Sequence, residues 1–118
     1  MSGIGGFLRG FRHAARGVGL AARDRNFLVM LAAAVVVVTV GFAYDVSNGS
    51  WAVLLVCIGA VLGAEAGNSA IERLADRVQP DQDPAIRDVK DIAAGAVLVV
   101  SVATAVVGVV VFWPYVVG

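Results

Sequence analysis

FLVMLAAAVVVVTVGFAY, residues Phe27 to Tyr44, holds no charged side chain in 18 positions. At 1.5 Å per residue a helix of that length reaches about 27 Å, close to the ~30 Å hydrocarbon core of a bilayer. The run has no polar face to turn toward water, so lipid is its natural surrounding. The rest of the chain agrees: of 118 residues, 59% are hydrophobic and 15% charged, with mean hydropathy +0.86. Those values exclude an ordinary soluble domain and describe an integral membrane protein. The formal net charge of zero hides a segregated pattern. Apart from Asp45, charge falls in two blocks, Arg9 to Arg25 and Glu65 to Asp91.

On the N-terminal side of Phe27 the chain reads Arg23-Asp24-Arg25-Asn26. This puts Asp24 at the membrane surface between two arginines, where a solvated salt bridge is one reading of it. Further back, Phe7, Leu8, Phe11, Ala14, Ala15 and Val18 repeat at helical spacing, with Arg9, Arg12, His13 and Arg16 on the other side. That is a basic amphipathic helix over about residues 7–22, of the kind that lies in an anionic headgroup layer. His13 belongs to its polar face and has no ligand-like companion. Residues 1–6, MSGIGG, are expected to be poorly ordered. Arginines followed by an apolar run resemble a signal peptide, but the run is long and two more follow, so it is expected to be retained as the first span.

On the C-terminal side, Asp45 to Ser50 is a turn-forming hexapeptide without Lys or Arg. Trp51 opens a second span, about 51–74, and a third is expected over about 91–113, ended by Pro114. Pro80 and Pro84 interrupt the helix between them. All nine Lys and Arg residues lie before Phe27 or between Arg73 and Lys90. The positive-inside rule then puts the N-terminus and the second connection in the cytoplasm and the C-terminus outside, as in a multi-pass membrane protein. Tyr44, Trp51, Trp113 and Tyr115 map to the outer interface, where amphipathic rings settle. Cys57, the one cysteine, lies in an apolar run and reads as an inert thiol. We read the 118 residues as one domain, all-α, with three membrane helices and a surface helix. Three spans make a thin bundle, and Gly59, Gly63, Gly67 and Gly95 permit close helix approach, so self-association is expected. No nucleic-acid partner is expected.

The second span is the only one that carries acids. Glu65, Asn68, Glu72 and Asp76 recur at i, i+3, i+7 and i+11 and share a helix face about 80° wide. Glu65 lies about two turns deeper than Glu72, near the edge of the hydrocarbon, where an ionised carboxylate is costly unless paired or functional. It suits a general base working near neutral pH, or a packing acid paired with an arginine of a neighbouring chain. Glu72 is shallow enough to stay charged and bind a hard cation. Lys90, the one lysine, stands beside Asp91 and reads either as a phosphate contact or as an ordinary flanking lysine. There is no phosphate-binding G-x-x-x-x-G-K-[ST] loop, no protein-kinase signature and no Ser/His/Asp or Cys/His cluster.

At these residues the chain resembles the small integral-membrane diacylglycerol kinase and undecaprenol kinase family of bacteria. That family carries E-x-x-N-[ST]-A-I-E, then an Asp, then Lys-Asp before a span rich in small residues. The matches are Glu65, Asn68, Ser69, Ala70, Ile71, Glu72, Asp76, Lys90 and Asp91, with Asp24-Arg25-Asn26-Phe27 answering a Glu-Arg-Asn-Phe-like entry to the first span. The similarity runs from about Phe7 to Trp113.

The resemblance implies a homotrimer that uses Mg2+ and ATP to phosphorylate a lipid hydroxyl at the cytoplasmic interface, in sites shared between subunits. Glu65 would be the general base and Asn68 would position reacting groups. Glu72, with Asp24 in place of the family's Glu, would hold magnesium. Lys90 would contact phosphates and Asp91 the nucleoside side. The chain departs from the pattern at Asp24, which is one methylene short, at Gly67 and Ala75, and at Leu28-Val29-Met30, where many relatives have an Arg and a His. The D-R-N-F entry resembles the undecaprenol branch more than the diacylglycerol branch. An ion-conducting small oligomer and an inactive scaffold are the alternatives of another class.

Overall fold

A hydrophobic chain in lipid must satisfy its backbone internally, and helices do so segment by segment. The computed structural model describes residues 3–118, and among them there is no strand. The order is α1 (Gly3–Ala21), α2 (Arg25–Tyr44), α3 (Asn48–Val78) and α4 (Pro84–Val117). α2, α3 and α4 are each long and apolar enough to cross a membrane. The protein is a multi-pass membrane protein in which consecutive spans run antiparallel through short connections.

α3 is the central element: it contacts α1, α2 and, most extensively, α4. Leu54 and Val61 of α3, Ala34 of α2, and Ala93 and Val97 of α4 are among the buried apolar residues of the bundle. No side chain among the described residues is completely buried, and the Cα envelope measures 53 × 43 × 19 Å. Large apolar side chains such as Val36, Val56, Val99 and Val110 therefore lie exposed on the outside of the chain.

The element boundaries differ from the sequence expectation for identifiable reasons. α1 begins at Gly3 rather than near residue 7, because Ile4 extends the apolar row of Phe7, Leu8 and Phe11 by one turn. The expectation of disorder at the N-terminus thus does not hold for residues 3–6, and its first two residues lie outside those described. The first connection between spans is shorter than the expected hexapeptide. Asp45 takes a left-handed conformation (φ 53°), its N–H and that of Val46 close on Phe42 and Gly41, and Ser47 caps α3 by accepting from Ser50 N–H. Asn48, Gly49 and Ser50 are already helical.

α4 starts seven residues before the expected position 91, since Asp83 caps it by accepting from Ala85 and Ile86 N–H and Pro84 is its first residue. The helix of the second span is interrupted before Pro80 as expected, but Pro84, expected to be part of the connection, is already the first residue of α4. The connection from α3 is only residues 79–83. At the other end Pro114 does not stop α4, which continues to Val117. Proline removes one helix donor, its own, and near a helix end that loss is local.

Candidate active site

The C-terminal ends of α1 and α3 meet the N-terminal ends of α2 and α4 at one end of the molecule. Between α2 and α3 there lies an open cleft of about 440 Å³, lined by Asp24, Glu65, Asn68, Glu72 and Asp76 together with Ser69, Arg73, Phe27 and the Arg23, Arg25 and Asn26 side chains. Helical spacing brings the α3 acids to one wall, and the α1–α2 turn supplies the other.

Depth grades along that wall. Glu65 is 5% exposed and Asn68 8%, whereas Glu72 and Asp76 are exposed. Asn68 Oδ1 is buried and has no hydrogen-bond partner in the protein, a deficit that favours an incoming donor or cation. Asp24 is held from α3: Ser69 Oγ donates to its Oδ2, and Arg73 Nη2 donates to its Oδ1 at 3.2 Å. The Ser69 hydroxyl pushes the Asp24 carboxyl below its ordinary value, burial opposes this, and Arg73 lowers it further. Asp24 therefore stays ionised at any pH near neutrality.

Lys90 and Asp91 do not line this cleft. They border a second one, of about 240 Å³, with Gln79 to Asp83, Ile86 and Arg87. The two are joined by an ion pair, Lys90 Nζ donating to Asp76 Oδ1. Lys90 sits nearly two turns inside α4, so the partial positive charge of that helix end falls at Pro84 and not at Lys90.

Asp24, Glu72 and Asn68 line the same cleft, and their side-chain oxygens are hard donors of the type that could hold magnesium. Among the described residues no group of three acidic, His or Cys side chains could hold a metal alone. Ser69 and Arg73 were not singled out from sequence as site residues. The signal was available: Glu65, Ser69 and Arg73 recur every four residues, forming a row beside the Glu65–Asn68–Glu72 stripe.

The family model for prokaryotic diacylglycerol kinase matches residues 12–112. The chain belongs to the prokaryotic diacylglycerol kinase family. An undecaprenol kinase of Bacillus subtilis (strain 168) is 37% identical over 109 residues, covering 92% of this chain and 89% of that protein. Membership makes this kinase a phosphotransferase whose acceptor is a lipid alcohol. The match spans α2, α3, α4 and the C-terminal part of α1, so both clefts lie inside the family region.

Proposed function

We propose that the protein is an undecaprenol kinase that transfers the γ-phosphate of ATP to the lipid hydroxyl at the cytoplasmic face of a bacterial inner membrane. The observation that carries the chemistry is the cleft in which a buried Glu65 lies beside an unpartnered Asn68 oxygen, two turns below the exposed Glu72. The preference for undecaprenol is supported by the relative of that name and by the Asp24-Arg25-Asn26-Phe27 entry to α2.

Glu65 accepts the hydroxyl proton as the lipid oxygen forms its bond to the γ-phosphorus. The bond from that phosphorus to the bridging oxygen breaks, and ADP leaves with the electron pair. Asn68 orients the reacting groups. Asp24 and Glu72 would hold magnesium, which would supply positive charge to offset that of the phosphate oxygens. Lys90 and Asp91, at the neighbouring cleft, hold the phosphates and the nucleoside side of ATP. The clustering of every Lys and Arg at the cleft end of the molecule supports a cytoplasmic N-terminus and an outer C-terminus. The functional unit is a homotrimer, supported by how little one chain buries.

Radiolabelled phosphate transfer from ATP, run in parallel on undecaprenol, diacylglycerol and ceramide in lipid, tests this reading. The expected product is undecaprenyl phosphate, with Glu65→Gln losing nearly all turnover. Labelled phosphatidic acid instead would move the acceptor to the diacylglycerol branch. Full activity of the Glu65→Gln protein would remove Glu65 as the base.

A further inference from the structure

Asp24 occupies the N-cap position of α2 with the extended backbone of a cap (φ −83°, ψ 137°), yet its side chain makes no capping hydrogen bond. A carboxylate at that position ordinarily accepts from the first turn of its own helix. Here both oxygens face α3 instead, one taken by Ser69 and the other by Arg73. The same Arg73 nitrogen also donates to the Leu20 carbonyl oxygen, at 3.0 Å, in the last turn of α1. Of the other oxygen donors of the cleft, Asp76 is taken by Lys90, whereas Asn68 and Glu72 have no such holder. Asn68 Oδ1 is unpartnered, and Glu72 forms no ion pair among the described residues.

We propose that Arg73 is a positioning residue of this kinase: a built-in counter-ion that holds Asp24 in place and is exchanged for the divalent cation when the metal site loads. The proposal rests on the reading of Asp24 as a metal ligand. A dication and a guanidinium that share one carboxylate repel each other, so loading the first means releasing the second. Of the cations that line the cleft, Arg23 and Arg25 come from the α1–α2 side and Arg73 alone from α3, where it is the one that reaches Asp24. With it, Asp24 keeps its orientation toward α3 while awaiting the ion. The side chains of the pair are 48% and 38% exposed, so the exchange is a shallow one. Arg73 tunes cation affinity by about two- to fivefold, the range of an exposed ion pair.

The probe is Mn2+, its free concentration read by electron paramagnetic resonance on the full chain in lipid, without nucleotide. Arg73→Gln is expected to bind Mn2+ about two- to fivefold tighter than the wild type, while Arg73→Lys, which keeps the charge, stays close to wild type. The ratio is expected to fall toward one in about 1 M KCl, where screening acts over ~3 Å. Equal or weaker binding by Arg73→Gln overturns the proposal, and so does an Arg73→Lys value that matches Arg73→Gln. Asp24→Asn separates the two layers. If it binds Mn2+ like the wild type, the metal reading of Asp24 fails, and the proposal with it. If it binds weakly while Arg73→Gln is unchanged, only the counter-ion proposal fails. The wild type offers a test that needs no variant: the guanidinium nitrogen resonance of Arg73 is expected to shift on Mg2+ addition, and a stationary resonance overturns the exchange.

Discussion

Asp24 concentrates the residue-scale physics of the site. Its carboxyl is lowered from the ordinary value, first by the Ser69 hydroxyl, with burial opposing and Arg73 assisting. A depressed carboxyl contributes its interactions fully above its unfolded value, about 3.9. They are lost only as pH falls through the lowered folded value. Removing Ser69's hydroxyl by Ser69→Ala should therefore move the Asp24 midpoint up toward the ordinary range, as read from the carboxyl-carbon resonance during an acid titration. An unmoved midpoint would assign the depression to Arg73 instead. The α3 acids of the site were legible in sequence, because helical spacing alone fixes which side chains share a face. Ser69 and Arg73 as holders of Asp24 were not. Their role depends on the α1–α2 turn approaching α3, a tertiary fact that no local period encodes.

At the scale of elements, the turns decide more than the spans. The Asp83-Pro84 pair is a cap followed by proline at the first helical position, a helix-start signal that outweighs proline's reputation as a breaker. Missing it shortened α4 and placed Lys90 at a helix end. At the opposite end of the molecule, α2 and α3 meet through Gly41 and Trp51. A Cβ on Gly41 would lie 2.7 Å from Trp51 Cη2 and 3.0 Å from Cζ2, and the same indole packs at a 51° tilt against Phe42 with centroids 4.8 Å apart. Gly41→Ala should thus cost about 1–3 kcal/mol through overpacking, seen as a lower thermal unfolding midpoint in detergent. Trp51→Ala in the same background should absorb that cost, giving a clearly non-additive double-mutant cycle. An additive cycle would mean that the two helices relax apart rather than clash.

On the scale of the whole molecule, the number of spans was legible because in lipid each helix is a nearly local property of its own hydropathy. How the spans pack is not local, and a chain whose envelope is only 19 Å in its thinnest direction leaves most large side chains uncovered. Helix association in lipid relies on close van der Waals fit, and the exposed glycines of α3, Gly59, Gly63 and Gly67, have open space where a Cβ would stand. The particle mass in mild detergent, measured by light scattering or native mass spectrometry, should equal three chains of 12.1 kDa. A monomer that retained full kinase activity would remove the trimer from the mechanism.

The thin envelope also bears on how substrates arrive. The cleft between α2 and α3 is open at its mouth in a chain only 19 Å thick, so a lipid can reach it from the side. The two substrates then search in different dimensionalities. The lipid arrives by lateral diffusion already at the right depth, its hydroxyl kept at the interface by the bilayer. The nucleotide comes from bulk water to the polar end. Encounter with the lipid is governed by its mole fraction in the membrane, so the composition of the bilayer sets the supply of one reactant and the adjoining aqueous phase that of the other.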